Sequence, residues 1–262
     1  MKEDEKMIIK QDFWYWPAEQ NRTLHIYLPD DYQYSPERYP VMYFFDGHNL
    51  FYDQDATYGT CWGLKTFLDQ WEKKCIIVGL ECSHEGNERL NEYSPYRKRM
   101  FGHILEGRGK ETMEWIVNDV KPYIDRTFRT YSHREATAIG GSSMGGLMSM
   151  YAVIVYNHVF SKAACVSTGV FWNLANFRRD LKRSHIDPDT RIYMSWGEIE
   201  AGHAAHHGNP EYDTREARSI RRFESELQER GVSTYLFFQW GGRHCEADWA
   251  KQVPVFMPFL WY

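Results

Sequence analysis

The chain has 262 residues, with 31 basic and 36 acidic side chains and a formal net charge of −5. That balance makes no electrostatic case for nucleic acid, and 43% hydrophobic with 26% charged residues excludes a disordered chain. No window supplies the roughly 18 apolar residues that span a bilayer, and the charged start leads into no apolar stretch of signal-peptide length.

The expectation is a cytoplasmic protein with neither a nucleic-acid nor a membrane partner, folded as one domain over 1–262. Five scattered cysteines (Cys61, Cys75, Cys82, Cys165, Cys245) contain no CxxC pair, which fits free thiols in a reducing compartment. Nothing in the sequence fixes the oligomeric state, and a homo-oligomer stays open.

Strand and helix patterns alternate along the chain. Residues 23–28 read as an early strand, 40–45 as a second closed by Asp46-Gly47, and 75–80 as a third, apolar enough to be covered on both faces. A helix is expected over 112–128, where Trp115, Ile116, Val120, Tyr123 and Ile124 build one buried stripe. A short strand over 136–140 runs into a glycine-rich turn, and 144–156 reads as a buried helix. Strands follow at 161–166 and 191–196, then a charge-rich helix at 215–230 stopped by Gly231, a last strand at 232–238, and a last helix at 246–260 bent at Pro254 or Pro258. The pattern is α/β, a mostly parallel central sheet with crossover helices on both faces.

The informative segment is Gly141-Ser142-Ser143-Met144-Gly145-Gly146. It fits G-x-S-x-G between a strand and a helix, where the motif forms a nucleophile elbow. The cramped turn pushes the Ser143 hydroxyl to the carboxyl edge of the sheet, and the glycines remove Cβ atoms that would collide with neighbouring elements. Ser142 is the competing nucleophile, but it lacks glycine at both −2 and +2.

A serine hydroxyl needs a base held by a third group. His244 lies on Trp240-Gly241-Gly242-Arg243-His244 after the final strand, at the end of the sheet where a triad histidine belongs. The acid should follow the preceding strand, in Gly197-Glu198-Ile199-Glu200. Glu200 is favoured, with Glu198 the alternative. Asp187 and Asp189 fall at the wrong edge, and Asp248 reads as a capping or surface residue. A two-donor oxyanion hole would use the backbone amides of Met144, at the start of the serine helix, and of His48, presented by the Asp46-Gly47 turn.

Taken in order, residues 39–51, Ile77-Val78-Gly79-Leu80, the Arg89-Leu-Asn-Glu-Tyr-Ser-Pro95 block, 141–146, 197–200 and Gly241-Gly242-Arg243-His244 resemble the esterase D and feruloyl esterase-like family of the α/β-hydrolases. The resemblance runs from about residue 10 to the end. It implies a single-domain α/β-hydrolase fold and a cofactor-free serine hydrolase of carboxylic esters. Members include S-formylglutathione hydrolases, feruloyl and acetylxylan esterases, siderophore esterases and mycolyltransferases. The family's Gly-x-x-acid pattern falls on Glu200, whereas the residue after Gly197, often Thr in relatives, is Glu198 here.

The expected substrate is a small acyl, aryl or carbohydrate-linked ester. Two alternatives stand beside hydrolysis: acyl transfer through the same triad, and a non-catalytic binding protein on the same fold. The His203, His206 and His207 run invites a metal, but bracketing glycines and a proline argue against a long helix, and triad chemistry needs none. Phe51, Tyr58, Trp62, Phe171 and Trp172 either wall a substrate pocket or belong to the core. Cys245 is expected to be a buried free thiol. Residues 93–110 are expected to form a flexible loop beside the site.

Overall fold

The computed structural model describes residues 8–100, 102–200, 209 and 211–262. Eight strands form one sheet: β1 (Ile9–Tyr15), β2 (Gln20–Tyr27), β3 (Val41–Phe45), β4 (Ile76–Leu80), β7 (Thr137–Ser142), β8 (Lys162–Val166), β9 (Arg191–Gly197) and β10 (Ser233–Gln239). Their spatial order is β1-β2-β4-β3-β7-β8-β9-β10. β2 runs antiparallel to both β1 and β4, and every pair from β4 to β10 is parallel. The parallel part therefore aligns the carboxyl ends of β3, β7, β8, β9 and β10 along one rim, where ligand sites form in open α/β sheets.

Residue-by-residue alternation divides the core in two. Along β3, Val41, Tyr43 and Phe45 point into one apolar cluster while Met42 and Phe44 point into the other. The period of two places a packed layer on each face of the sheet. The first layer takes α3 (Gly109–Trp115), α4 (Lys121–Thr127), α5 (Met144–Val155), α6 (Leu174–Arg183) and α7 (Arg215–Gln228); the second takes α1 (Leu64–Gln70) and α9 (Val253–Trp261). In α7 the buried residues are Ala217, Ile220, Phe223 and Leu227, so this charge-rich helix still buries one stripe.

Several expectations are corrected. The helix expected over 112–128 is α3, a π-helical turn Ile116–Val120 and α4. Pro122 has no amide for the Asn118 carbonyl, and the wider turn relieves the ring's clash with it. The last helix is α8 (Glu246–Trp249), a 3-10 turn Ala250–Gln252 and α9, so the break precedes Pro254, while Pro258 lies inside α9. The 93–110 segment is not a plain loop. It holds a hairpin, β5 (Lys98–Met100) with β6 (His103–Leu105), and the first turn of α3. Edge strand β1, α1, α6 and the short α2 (Glu88–Glu92) are additional to the elements expected from the sequence. No helix among the described residues is long and apolar enough to cross a membrane.

Candidate active site

Ser143 follows β7 and precedes α5 with φ 56° and ψ −118°, a backbone state that costs a non-glycine residue about 1–3 kcal/mol. Its amide donates to the Val166 carbonyl at 2.9 Å, and its carbonyl accepts from Leu147 at 3.0 Å. The Met144 amide begins the helix and so lacks an intrahelical acceptor. Ser142 is buried at the end of β7, whereas Ser143 is half-buried, which favours Ser143 as the accessible hydroxyl.

The loop after β3 is seated against this turn. A Cβ added to Gly145 would lie 2.9 Å from Phe45 Cβ and 3.3 Å from Asp46 Oδ2, so only glycine lets the two segments meet. Asp46 takes φ 58°, and Gly47–Asn49 forms a 3-10 turn carrying His48. Gly47 is pressed against β4, where a Cβ would come within 2.4 Å of the Gly79 carbonyl carbon.

The Asp46 carboxylate anchors the loop. It receives Arg89 Nε at 2.7 Å on Oδ1 and Arg89 Nη2 at 2.7 Å on Oδ2. The Asp46 amide donates to the Tyr93 hydroxyl at 3.1 Å. Burial works to raise the Asp46 pKa, but the Arg89 guanidinium overrides it and holds the carboxyl below its ordinary range. Burial lowers the His48 imidazole to about 4, so the ring is neutral at pH 7.

His244 and Glu200 meet at the same rim. His244 Nδ1 is 3.4 Å from Glu200 Oε2, with the imidazole 47% exposed and the carboxylate 5% exposed. Ser167, just past β8, donates its hydroxyl to Glu200 Oε1 at 2.6 Å and accepts from Trp249 Nε1 at 2.8 Å. The Trp249 ring stands edge-on to His244 with centroids 4.9 Å apart. Glu198 points elsewhere, its Oε2 accepting from the Gly241 amide at 2.8 Å.

Of the four described non-glycine residues with positive φ, three (Asp46, Ser143, Ser167) sit at the ends of neighbouring strands β3, β7 and β8. Strain held at one rim is a mark of a functional edge.

Phe51 and Trp62 are core: Phe51 stacks on Tyr27, and Trp62 packs among Phe44, Trp249 and Phe256. Both are buried in the second apolar layer. Tyr58 is 80% exposed and Trp172 48% exposed. Phe171 lies in the turn Val170–Trp172, and Lys98 Nζ donates to the Trp172 carbonyl. Asp248 is buried rather than on the surface, and it accepts from the Arg243 amide at 3.0 Å, Arg243 Nε at 2.9 Å and Lys251 Nζ at 2.5 Å. It thereby shapes the loop that carries His244. Cys245 is half-buried, not buried, and all five cysteines are free. Asp187 and Asp189 both pair with Arg134, remote from the rim. His203, His206 and His207 lie outside the described residues.

The sheet order and its flanking helices are those of the α/β-hydrolase fold. The family model Esterase, described as "Putative esterase", matches residues 18–260, and the chain belongs to that family. YbbA of Bacillus subtilis (strain 168) is 29% identical over 188 residues, covering 69% of each chain. Esterase Rv1288 of Mycobacterium tuberculosis (strain ATCC 25618 / H37Rv) is 30% identical over 145 residues, 55% of this chain but only 28% of the relative. An IroE-like serine hydrolase from Shewanella oneidensis superposes with a TM-score of 0.71 at 20% identity, covering 92% of this chain and 76% of that one. Membership of that family supports ester hydrolysis as the chemistry of the chain.

Proposed function

We propose that the protein is a serine carboxylic-ester hydrolase working through an acyl-enzyme, with Ser143 as nucleophile, His244 as base and Glu200 as the acid that orients it. The carrying observation is the Glu200–His244 contact at 3.4 Å, made by residues that follow β9 and β10 while Ser143 follows β7 of the same parallel array. His244 removes the Ser143 proton as the hydroxyl attacks the ester carbonyl, then returns it to the leaving alcohol. Water, activated by the same imidazole, releases the acid.

The carbonyl oxygen, negative in the tetrahedral intermediate, is met by the Met144 and His48 amides. The seating of the Asp46 loop on Gly145 supports that pairing. Glu200 keeps the Nδ1–H tautomer and stabilises the imidazolium. Ser167 in turn fixes Glu200 from its other oxygen. The substrate is a small acyl, aryl or carbohydrate-linked ester. No cofactor is needed, and five free thiols support residence in the cytoplasm.

Glu200→Gln and Glu198→Gln test the assignment on p-nitrophenyl acetate. A carboxylate that only orients the histidine is worth roughly 10⁴-fold in kcat in serine hydrolases. Glu200→Gln is expected to lose that much, whereas Glu198→Gln should stay within about threefold of wild type. The reverse ranking would move the acid to Glu198.

A further inference from the structure

The loops following β3 and β4 bring a second set of ionisable side chains together. His48, Glu81 and His84 each offer a ligand atom, all within 4.8 Å of one another. The two imidazole centroids are 4.6 Å apart. His84 Nε2 is 2.6 Å from Glu81 Oε1, and His25 Nε2 is 2.8 Å from Glu81 Oε2.

An independent feature marks the cluster. His48 is only 5% exposed, yet its Nδ1 has no hydrogen-bond partner among the described residues. Its Nε2 lies 2.9 Å from Thr57 Oγ1. With the Nε2 proton donated to Thr57, Nδ1 keeps a lone pair in a buried place, and a buried polar atom left unsatisfied is costly. Ester hydrolysis uses the His48 backbone amide and gives this ring no task.

We propose that His48 Nδ1, a Glu81 carboxylate oxygen and a ring nitrogen of His84 form a binding site for one divalent transition-metal ion, Zn²⁺ in particular. Two imidazoles and a carboxylate are a donor set for zinc, with water completing a tetrahedron. Calcium and magnesium prefer oxygen throughout. Bonds of about 2.0–2.1 Å place neighbouring ligand atoms about 3.3 Å apart, so His84 and Glu81 must exchange their direct hydrogen bond for two metal bonds. His84, 54% exposed, has the freedom to make that shift and opens the site to solvent.

Outer-sphere partners are already in place: Thr57 on His48 and His25 on Glu81 fix ring tautomer and carboxylate orientation. The neighbouring set Asp46, His48 and Cys82 is a poorer choice, because Arg89 occupies both Asp46 oxygens. The ion takes no part in acyl transfer. It fastens the loop bearing His48 to the loop after β4.

Titration calorimetry and thermal unfolding of the full chain, stripped by chelator and then given ZnCl₂, test this. The expected result is one ion per chain with micromolar or tighter affinity, and a melting temperature raised by several degrees at excess zinc. Ca²⁺ and Mg²⁺ should produce no rise. His84→Ala and Glu81→Gln should each weaken binding at least about tenfold, and exposed His84→Ala should melt like wild type without metal. Replacing His203, His206 and His207 together by Ala should leave the binding intact. Zinc affinity that survives His84→Ala, binding lost in the triple variant, or no stoichiometric binding would each overturn the proposal. Turnover of p-nitrophenyl acetate by the stripped chain reads the ester chemistry separately.

Discussion

Ser143→Ala should lower kcat on p-nitrophenyl acetate by about 10⁶-fold, or roughly 8 kcal/mol of transition-state stabilisation. The loss is that large because base and acid are useless without an oxygen to activate; removing a triad nucleophile costs about as much as removing the whole triad. Stability should barely change. The side chain is small and half-buried, and the backbone of 143 is held by the Val166 and Leu147 hydrogen bonds, which alanine keeps. A melting temperature within about 2 °C of wild type is therefore expected. Ser142→Ala, at the buried end of β7, should retain turnover within an order of magnitude. Steady-state rates and unfolding curves of the two variants make the check.

The second large effect belongs to Arg89, which never touches the serine. Arg89→Met leaves the Asp46 carboxylate buried without its bidentate partner. Breaking such a pair costs about 3 kcal/mol, or roughly 10 °C in melting temperature for a domain of this size. Turnover should fall as well, because Asp46 holds the turn that presents His48. Arg89→Lys keeps a charge but loses the two-pronged geometry and should lie between.

The pH dependence has a definite sign. In the wild type the Asp46 pKa is depressed, so its stabilisation is present above the unfolded carboxyl pKa and is lost as acid drives pH through the folded value. In the variant, burial without Arg89 favours the protonated acid. The stability gap should be widest at neutral pH and narrow as pH falls into the carboxylate range. Denaturant midpoints at pH 7 and pH 4 would show this, and an equal gap at both would contradict the pairing argument.

How much of this could be read beforehand depends on how local the signal was. The apolar runs of β3 and β4 and the Gly141–Gly146 turn are dense short-range patterns, and their elements lie within a residue or two of the reading. The preference for Glu200 over Glu198 as the proposed acid rests, in the sequence, on a spacing and a family likeness alone. What separates them is that a side chain three residues past the strand reaches over to His244, while the first turns toward the Gly241 amide.

Arg89 was visible as part of a recurring block, but its partner is 43 positions away in sequence, and no periodicity connects them. Ser167 was silent for the same reason: a lone serine after a strand acquires meaning only when β8 lies between β7 and β9. Strand β1 escaped because its exposed edge carries mixed polar and aromatic residues with little alternation. The aromatic residues near the loop after β3 gave the least guidance, since a tryptophan that lines a pocket and one that fills a core look alike in sequence; Trp62 is buried in the second apolar cluster.

The most direct test is intact-mass analysis after exposure to a fluorophosphonate, with the modified peptide sequenced. One adduct per chain, carried on the Ser143 hydroxyl, absent from Ser143→Ala and formed far more slowly in His244→Ala, is the predicted result. An adduct on Ser142, or full-rate labelling when His244 is gone, would contradict it.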